Sequence, residues 1–515
     1  MVTSVDGLRA GRREWIGLAV LALPTLLLSL DISVLYLALP HMSADLSASS
    51  TQQLWILDIY SFMLAGFLVT MGTLGDRIGR RRLLLIGAAA FGGASVLAAY
   101  STSAGMLIAA RAVLGVAGAT LMPSTMALIR NMFRDPRQMG QAISIWFICF
   151  MGGMTIGPLV GGVLLDHFWW GSAFLLGVPF MVLLLIAGPI LLPEHRDSQA
   201  GRLDPASVAL SLAGILPVIY GVKELGRTGW HAAPVASIVI GLAFAATFVH
   251  RQRRLRDPLL DLRLFANRAF STALGTNLLL GVVMAGVSLM ATLYLQLVQG
   301  FSPLRAGLWL LPQYLVMACG AVAAPVLAQR FRPAHVMAAG LFVAAGGILL
   351  LTQVDSTGGL GLLVVGLSLA TGGIALPMPL MMGQILGSVP PERAGSAASM
   401  SETSGEFGIA LGIATLGTLG TVVYRSELHD SIPAGVPAQA AHAARESIAS
   451  AVATAGHLPA LLDAARAAFT SGLNAVAGVG AAVFAVLAVL TLIVLRGRGE
   501  AAPAESAAIE EVAEV

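Results

Sequence analysis

Charge is what this sequence has least of. Only 11% of its 515 residues are Asp, Glu, Lys or Arg, against about a quarter in soluble domains, while 57% are hydrophobic. That excludes an ordinary soluble enzyme or binding domain and points to a polytopic membrane protein. Cysteine is nearly absent as well. Cys149 and Cys319 stand in apolar runs with no CxxC pair and no histidine spacing suited to zinc, so neither a disulfide framework nor a metal site is expected, and both read as packing residues. No HExxH or paired DDxxD sequence is present, which removes the usual constellations of a membrane-embedded enzyme. The basic residues behind the pI of 9.1 fall between apolar runs rather than in a patch interleaved with aromatics, which excludes nucleic acid as a partner.

What is present is a series of apolar runs long enough to cross a bilayer. They fall near 15–40, 53–74, 83–100, 106–129, 140–164, 172–192, 206–222, 234–250, 270–295, 305–328, 334–352, 359–386, 395–422 and 472–495. The first is too long for a cleaved signal segment. Fourteen spans put both termini on one side, and the loops there carry 23 of the 30 basic residues. Six stand on the other side (Lys223, Arg227, Arg305, Arg425, Arg445, Arg466), and Arg111 alone is placed inside a span. Both termini are therefore expected in the cytoplasm.

An internal repeat organises these spans. GQAISIWFICFMGGMTIG (140–157) aligns with GSAASMSETSGEFGIALG (395–412), GATLMP (118–123) with GGIALP (372–377), and GTLGDRIGR (72–80) with PVLAQRFRP (325–333), all offset by about 254 residues. Helices two to five thus match ten to thirteen. The expected fold is all-α, with two six-helix halves at 15–192 and 270–495 and two inserted helices within 193–269. A short N-terminus (1–14) and an acidic, alanine-rich tail (496–515) flank them, and residues 424–471 read as a loop carrying a helical hairpin over the outer mouth.

The run Gly152–Gly162 sets five glycines and a proline inside an apolar span, where they weaken a solitary helix. Gly153, Gly157 and Gly161 share one face, suited to close approach of another helix, and Pro158 favours a bend. At 72–82, Gly72 and Gly79 permit a tight turn, and Asp76 with Arg77 and Arg80 could latch two helix ends together.

Charge inside the spans reads as functional. Arg111 needs a partner or a wet cavity. Asp31, Asp58, Glu402 and Glu406 are carboxylates at membrane depth, where an uncompensated acid is more stable neutral, so they can carry protons or pair with a cation. Asp58 stands only about a turn into its helix and also fits an interfacial position. Glu402 and Glu406 lie four apart on one face. Trp55, Tyr60, Trp146, Phe147, Tyr294, Gln296, Trp309, Gln313, Met378 and Met381 are candidate walls of a permissive cavity. Trp169 and Trp170 read as interface belt residues.

In order, LDISVLYLALP, TQQLWILDIY, GTLGDRIGRRR, RAVLGVAGATLMPS, GPLVGG and WWGSAFLLGVPF closely resemble the fourteen-helix drug/proton antiporters of the major facilitator superfamily, QacA-like exporters in particular. GxxxGPxxGG resembles the helix-five antiporter motif of proton-coupled exporters, and GxLxDRxGRR the superfamily's helix two–three motif. The resemblance implies proton-coupled export of lipophilic cations, such as quaternary ammonium compounds and ethidium-like dyes, with fluoroquinolones a further class. It implies a bacterial plasma-membrane location, alternating access by a monomer, no cofactor and no metal. Asp31, Asp58, Glu402 and Glu406 match membrane acids of the family, and Arg111, Gly157 and Pro158 its helix-four and helix-five motifs. Some relatives carry a further acid in helix ten, where this chain has Met317, so divalent cations are less expected. An endogenous lipid, a siderophore or a self-made antibiotic is the alternative cargo on the same fold.

Overall fold

A computed structural model describes residues 10–194, 204–255, 258, 262–389, 394–433, 435–454 and 458–495. Residues 1–9, most of the 193–203 loop, Gly456 and the tail 496–515 lie outside the described residues, as does the side chain of Phe147.

Fourteen helices have the length and hydropathy to span a membrane, and no strand occurs among the described residues. The first half holds α1 (Arg12–Asp45), α2 (Ser50–Ile78), α3 (Arg80–Ala99), α4 (Ala104–Met132), α5 (Pro136–His167) and α6 (Ser172–Leu191). The inserted pair is α7 (Pro205–Thr228) and α8 (Ala232–Arg254). The second half holds α9 (Arg268–Val298, its last turn Tyr294–Val298 widened to a π-helix), α10 (Pro303–Arg330), α11 (Pro333–Leu351), α12 (Leu360–Ile385), α13 (Ala394–Ser431) and α14 (Pro459–Leu495).

The repeat seen in sequence is a repeat in packing. In the first half α1 packs on α5, α2 on α4, α3 on α4 and α3 on α6; in the second, α9 packs on α13, α10 on α12, α11 on α12 and α11 on α14. The halves then meet through α2 against α13 and α5 against α10, two contacts that the same pairing interchanges. Small residues make these approaches possible. A Cβ on Gly153 would stand on Ser29 Oγ and 2.6 Å from Leu26 O, and one on Gly161 would stand 2.9 Å from Val34 Cγ2, so that face of α5 is seated on α1. In α13, Gly408 and Gly412 press in the same way on the backbone of α9 at Leu278 and Val282.

Loop ends fall into two sets. One end of the bundle carries the short loops after α1, α3, α5 and α9 and a helical hairpin between α13 and α14, and is called here the hairpin end; the other is the termini end. Contacts between the halves gather at the hairpin end. A Cβ on Gly162 of α5 would lie 2.5 Å from Leu304 Cα of α10, and Ser302 Oγ donates to Asp166 Oδ2 at 3.1 Å. Gly417 of α13 lies against Leu54 of α2, and Gln53 and Ser50 reach Ser447 and Arg425. The bundle is closed there.

The structure redraws two boundaries. α13 runs to Ser431 and α14 begins at Pro459, so the expected loop 424–471 shrinks to a connection whose own helices are Ala438–Glu446 and Ile448–Thr454. The stretch PALLDAARAAFTSG, which begins within that expected loop, forms the first turns of α14 instead, because nothing in it stops an alanine-rich helix from continuing into the apolar run. Similarly α7 continues through Lys223 and Glu224 to Thr228, where the apolar run alone would end at 222.

Candidate functional site

The site is assembled from α2 outward. Gly115 of α4 sits against the Tyr60 carbonyl of α2, and a Cβ on Gly118 would stand 3.0 Å from Tyr60 Oη, so the two backbones nearly touch. That approach brings Arg111 of α4 to α2. Its Nε donates to Ile56 O at 3.2 Å, its guanidinium lies 4.6 Å from the centre of the Tyr60 ring, and its Nη1 meets Asp31 Oδ2 of α1 at 2.6 Å. Arg111 is 1% exposed, so the charge that costs most to bury is held by a carboxylate, a carbonyl and an aromatic face together.

At the same level but on another face of α2, between Ile56 and Tyr60 in sequence, a second ion pair is buried. Asp58 Oδ2 lies 2.6 Å from Lys223 Nζ, both side chains are fully enclosed, and the ammonium group stands 3.8 Å from the centre of the Trp55 ring. Lys223 comes from α7, which packs into the seam between α2 and α13 beside Phe62, Phe407, Ala410 and Ala414. This corrects the sequence-based placement of Lys223 in an outer loop and of Arg111 as the one basic residue within a span. Asp58 stands about two turns past the start of α2 at Ser50 rather than one, and neither Asp31 nor Asp58 is uncompensated.

Glu402 and Glu406 reach the same region from α13. Asn277 of α9 donates to Ser401 O at 2.8 Å and Ser404 Oγ to Leu274 O at 3.0 Å, so the face holding Ser401, Ser404, Gly408 and Gly412 belongs to α9. The two glutamates project about a third of a turn round the helix, and Glu406 hydrogen-bonds to Ser61 of α2. Its Oε2 is buried with no hydrogen-bond partner, and among the described residues neither glutamate has an ion-pair partner. Glu406, Asp58 and the Asp31–Arg111 pair thus gather round Tyr36 and Tyr60, and Glu402 lies one turn from Glu406 within electrostatic reach of Arg130 of α4.

The residues 21–413 match the family model of the Major Facilitator Superfamily. This chain belongs to that superfamily. Among its relatives is the multidrug efflux pump LfrA of Mycolicibacterium smegmatis, 43% identical over 490 residues, 93% of this chain and 97% of that protein. The methyl viologen resistance protein SmvA of Salmonella typhimurium is 33% identical over 472 residues, 89% of this chain and 93% of its own. A bacterial homolog of the human lysosomal transporter Spinster, solved in an inward-facing and unoccupied conformation, superposes with a TM-score of 0.67 at 16% identity, covering 95% of this chain and 99% of that one. The major facilitator fold is therefore shown, and the chain is a many-span membrane transporter.

Within this major facilitator chain the remaining candidates scatter. Trp55 and Tyr60 stand in the cluster, each over a bound cation. Trp146 is buried with its ring parallel to Phe150 on the same helix, and Gln313 and Met381 are buried in the second half. Trp309 and Met378 are exposed. Tyr294 and Gln296 belong to the π-turn at the hairpin end, where Tyr294 Oη donates to Asp355 O at 2.5 Å, away from the acids. Tyr36 of α1 and Tyr314 of α10 escaped the sequence reading. Tyr36 lies within electrostatic reach of Tyr314, Glu406, Asp58 and Arg111, which makes the pair aromatic neighbours of the acid cluster.

At the termini end, Gly79 takes φ +113° between α2 and α3, a conformation that suits glycine. Asp76 pairs with Arg80 at 2.6 Å, and Arg77 is exposed. The contact to another helix is made by Arg81, whose Nη1 donates to Leu192 O at 3.0 Å and whose backbone N–H donates to Glu194 Oε1 at 3.2 Å, at the end of α6. Trp170, expected only as a belt residue, is buried and donates to Asp45 Oδ2 at 2.7 Å, tying α6 to α1.

Proposed function

We propose that the chain is a proton-coupled efflux antiporter for lipophilic cations, working by alternating access in a bacterial plasma membrane as a monomer, with both termini in the cytoplasm and no cofactor. The observation that carries this reading is the half-buried pair Glu402 and Glu406, which face the other half with no ion-pair partner among the described residues, Arg130 of α4 standing only within electrostatic reach of Glu402. An acid in such a place is stable when protonated or when a cationic guest sits beside it. Protonation and guest binding then compete for the same groups, which is the requirement for exchange. The aromatic rings of Trp55, Tyr60, Tyr36 and Tyr314 suit a charged apolar guest.

Relatives named for multidrug efflux and methyl viologen resistance support the cargo class, since methyl viologen is itself a quaternary dication. The distribution of arginines supports the orientation, placing the termini end in the cytoplasm. The structure is closed at the hairpin end, and in this reading that is the state that admits cargo from the inside. Each elementary charge crossing a 100 mV potential supplies about 2.3 kcal/mol. The test is ethidium efflux from proteoliposomes under an imposed pH gradient. Gradient-dependent movement that Glu406→Gln abolishes supports the reading, and wild-type protein that moves no cationic dye under any gradient overturns it. Export of an endogenous antibiotic would then lead, a reading favoured by relatives such as the tetracenomycin C resistance and export protein of Streptomyces glaucescens, 30% identical over 508 residues.

A further inference from the structure

Lys223 is the single lysine in the chain; every one of the other basic residues among the 30 is arginine. It is also fully buried, on a helix that belongs to neither six-helix half. The two buried ion pairs of the site differ in how well they are satisfied. Arg111 has Asp31, the Ile56 carbonyl and the Tyr60 ring. Among the described residues Lys223 Nζ touches Asp58 Oδ2 and the Trp55 ring and has no further acceptor, and Asp58 Oδ1 is buried without a donor from any other residue. An ammonium group carries three donors and a carboxylate about four acceptor positions, so most of this pair's hydrogen-bonding capacity is idle. A buried pair in that condition is weakly held against any alternative that satisfies it better.

The arrangement has the composition of a cation site, with one carboxylate and one aromatic face. We propose that Asp58 and Trp55 form a binding subsite for an organic cation, and that Lys223, delivered by the inserted helix α7, is its tethered resident, which a cationic guest must displace. Lysine suits that part. Its point charge rides a flexible four-carbon stem that can withdraw, whereas a planar guanidinium would bind the carboxylate bidentately and stay. The guest's own charge replaces the one removed, so the carboxylate is compensated before and after. α7 is placed to do this because it packs along α2 and α13, where Gly226 receives Thr418 and Gly66 receives Leu212. On this view the inserted pair sets the affinity of the site, and cations too weakly apolar to dislodge an ammonium group from Trp55 are refused.

This inference rests on the cation-export reading, and the experiment separates the two. Binding of radiolabelled tetraphenylphosphonium is measured on purified full-length protein in nanodiscs for wild type, Lys223→Met, and Lys223→Met combined with Asp58→Asn. Removing the tethered competitor is expected to tighten binding by tenfold or more, and the added Asp58→Asn to erase that gain. Unchanged or weaker binding by a Lys223→Met protein that elutes and melts like wild type overturns the subsite while the cation-export reading stands. If neither wild type nor variant binds the cation, both fall. A second measurement needs no variant. Because the chain holds one lysine, modification of its side chain by fluorodinitrobenzene is read at a single peptide by mass spectrometry. Saturating tetraphenylphosphonium should accelerate that modification severalfold, and an unchanged or slower rate would also overturn the proposal.

Discussion

Asp31 and Arg111 join α1 to α4 through a 2.6 Å contact in which the arginine is 1% exposed. Removing one partner of such a pair leaves the other charge stranded. Asp31→Asn should therefore lower stability by about 3–5 kcal/mol, and combining it with Arg111→Gln should recover much of that loss, because an uncharged pair has no ion to strand. Thermal unfolding in detergent measures both. Transport should remain lost in the double variant, which separates the fold's need for the pair from the need of coupling for its charge.

Glu406 and Glu402 make a contrasting prediction. Neither has an ion-pair partner among the described residues, so Glu406→Gln strands no charge and should leave the melting temperature within a degree or two of wild type. Gradient-driven ethidium efflux should fall at least tenfold, while downhill exchange of bound dye persists. A variant that unfolds early would show that the carboxylate is structural.

Gly162 tests the closure at the hairpin end. A Cβ there would meet Leu304 Cα at 2.5 Å, and backbone cannot step aside as a side chain can. Gly162→Val should pry α5 from α10 and shift the population toward a form open at that end. Spin labels on the exposed positions Ser47 and Glu427, one on each half, would report it as a longer distance, and an unchanged distance distribution would refute the idea.

Asp204 caps α7 outside the membrane span and anchors it to α8. Burial pushes its carboxyl up, but hydrogen bonds from Ser207 and Arg251, and the charge of Arg251 3.0 Å away, outweigh that and hold it below the ordinary carboxylate value. A depressed value means the capped state is favoured above the unfolded value of about 3.9 and loses that advantage as the pH falls through the folded one. Thermal stability should hold from pH 7 to 5 and drop below about 4, and Asp204→Asn should remove that part of the acid dependence.

Most of the fold was legible because hydropathy counts spans directly and small-residue patterns repeat between the halves. The site was legible one residue at a time and not as a constellation. All four acids and Arg111 stand out as charges at membrane depth, but which acid faces which cation depends on crossings such as that of Gly118 over Tyr60. Lys223 was misplaced because Lys223 and Glu224 end an apolar run, and a run of hydropathy ends sooner than the helix that contains it. One signal was available: a buried Asp58 demands a cation, and a lone lysine a few residues past an apolar run is an economical supplier. The boundary at the hairpin end failed for the same reason, since α13 and α14 continue beyond their apolar windows.

α8 touches little besides α7, and only 11% of its membrane window is buried. As α6 ends and α9 begins on the same side of the bundle, the inserted pair is an even-numbered detour, and a chain shortened to twelve spans would keep every later helix the right way up. Topology would forgive the deletion. Asp58 would not, because the detour brings the one ammonium group that neutralises it, and a shortened chain would have to find that charge among its cargo.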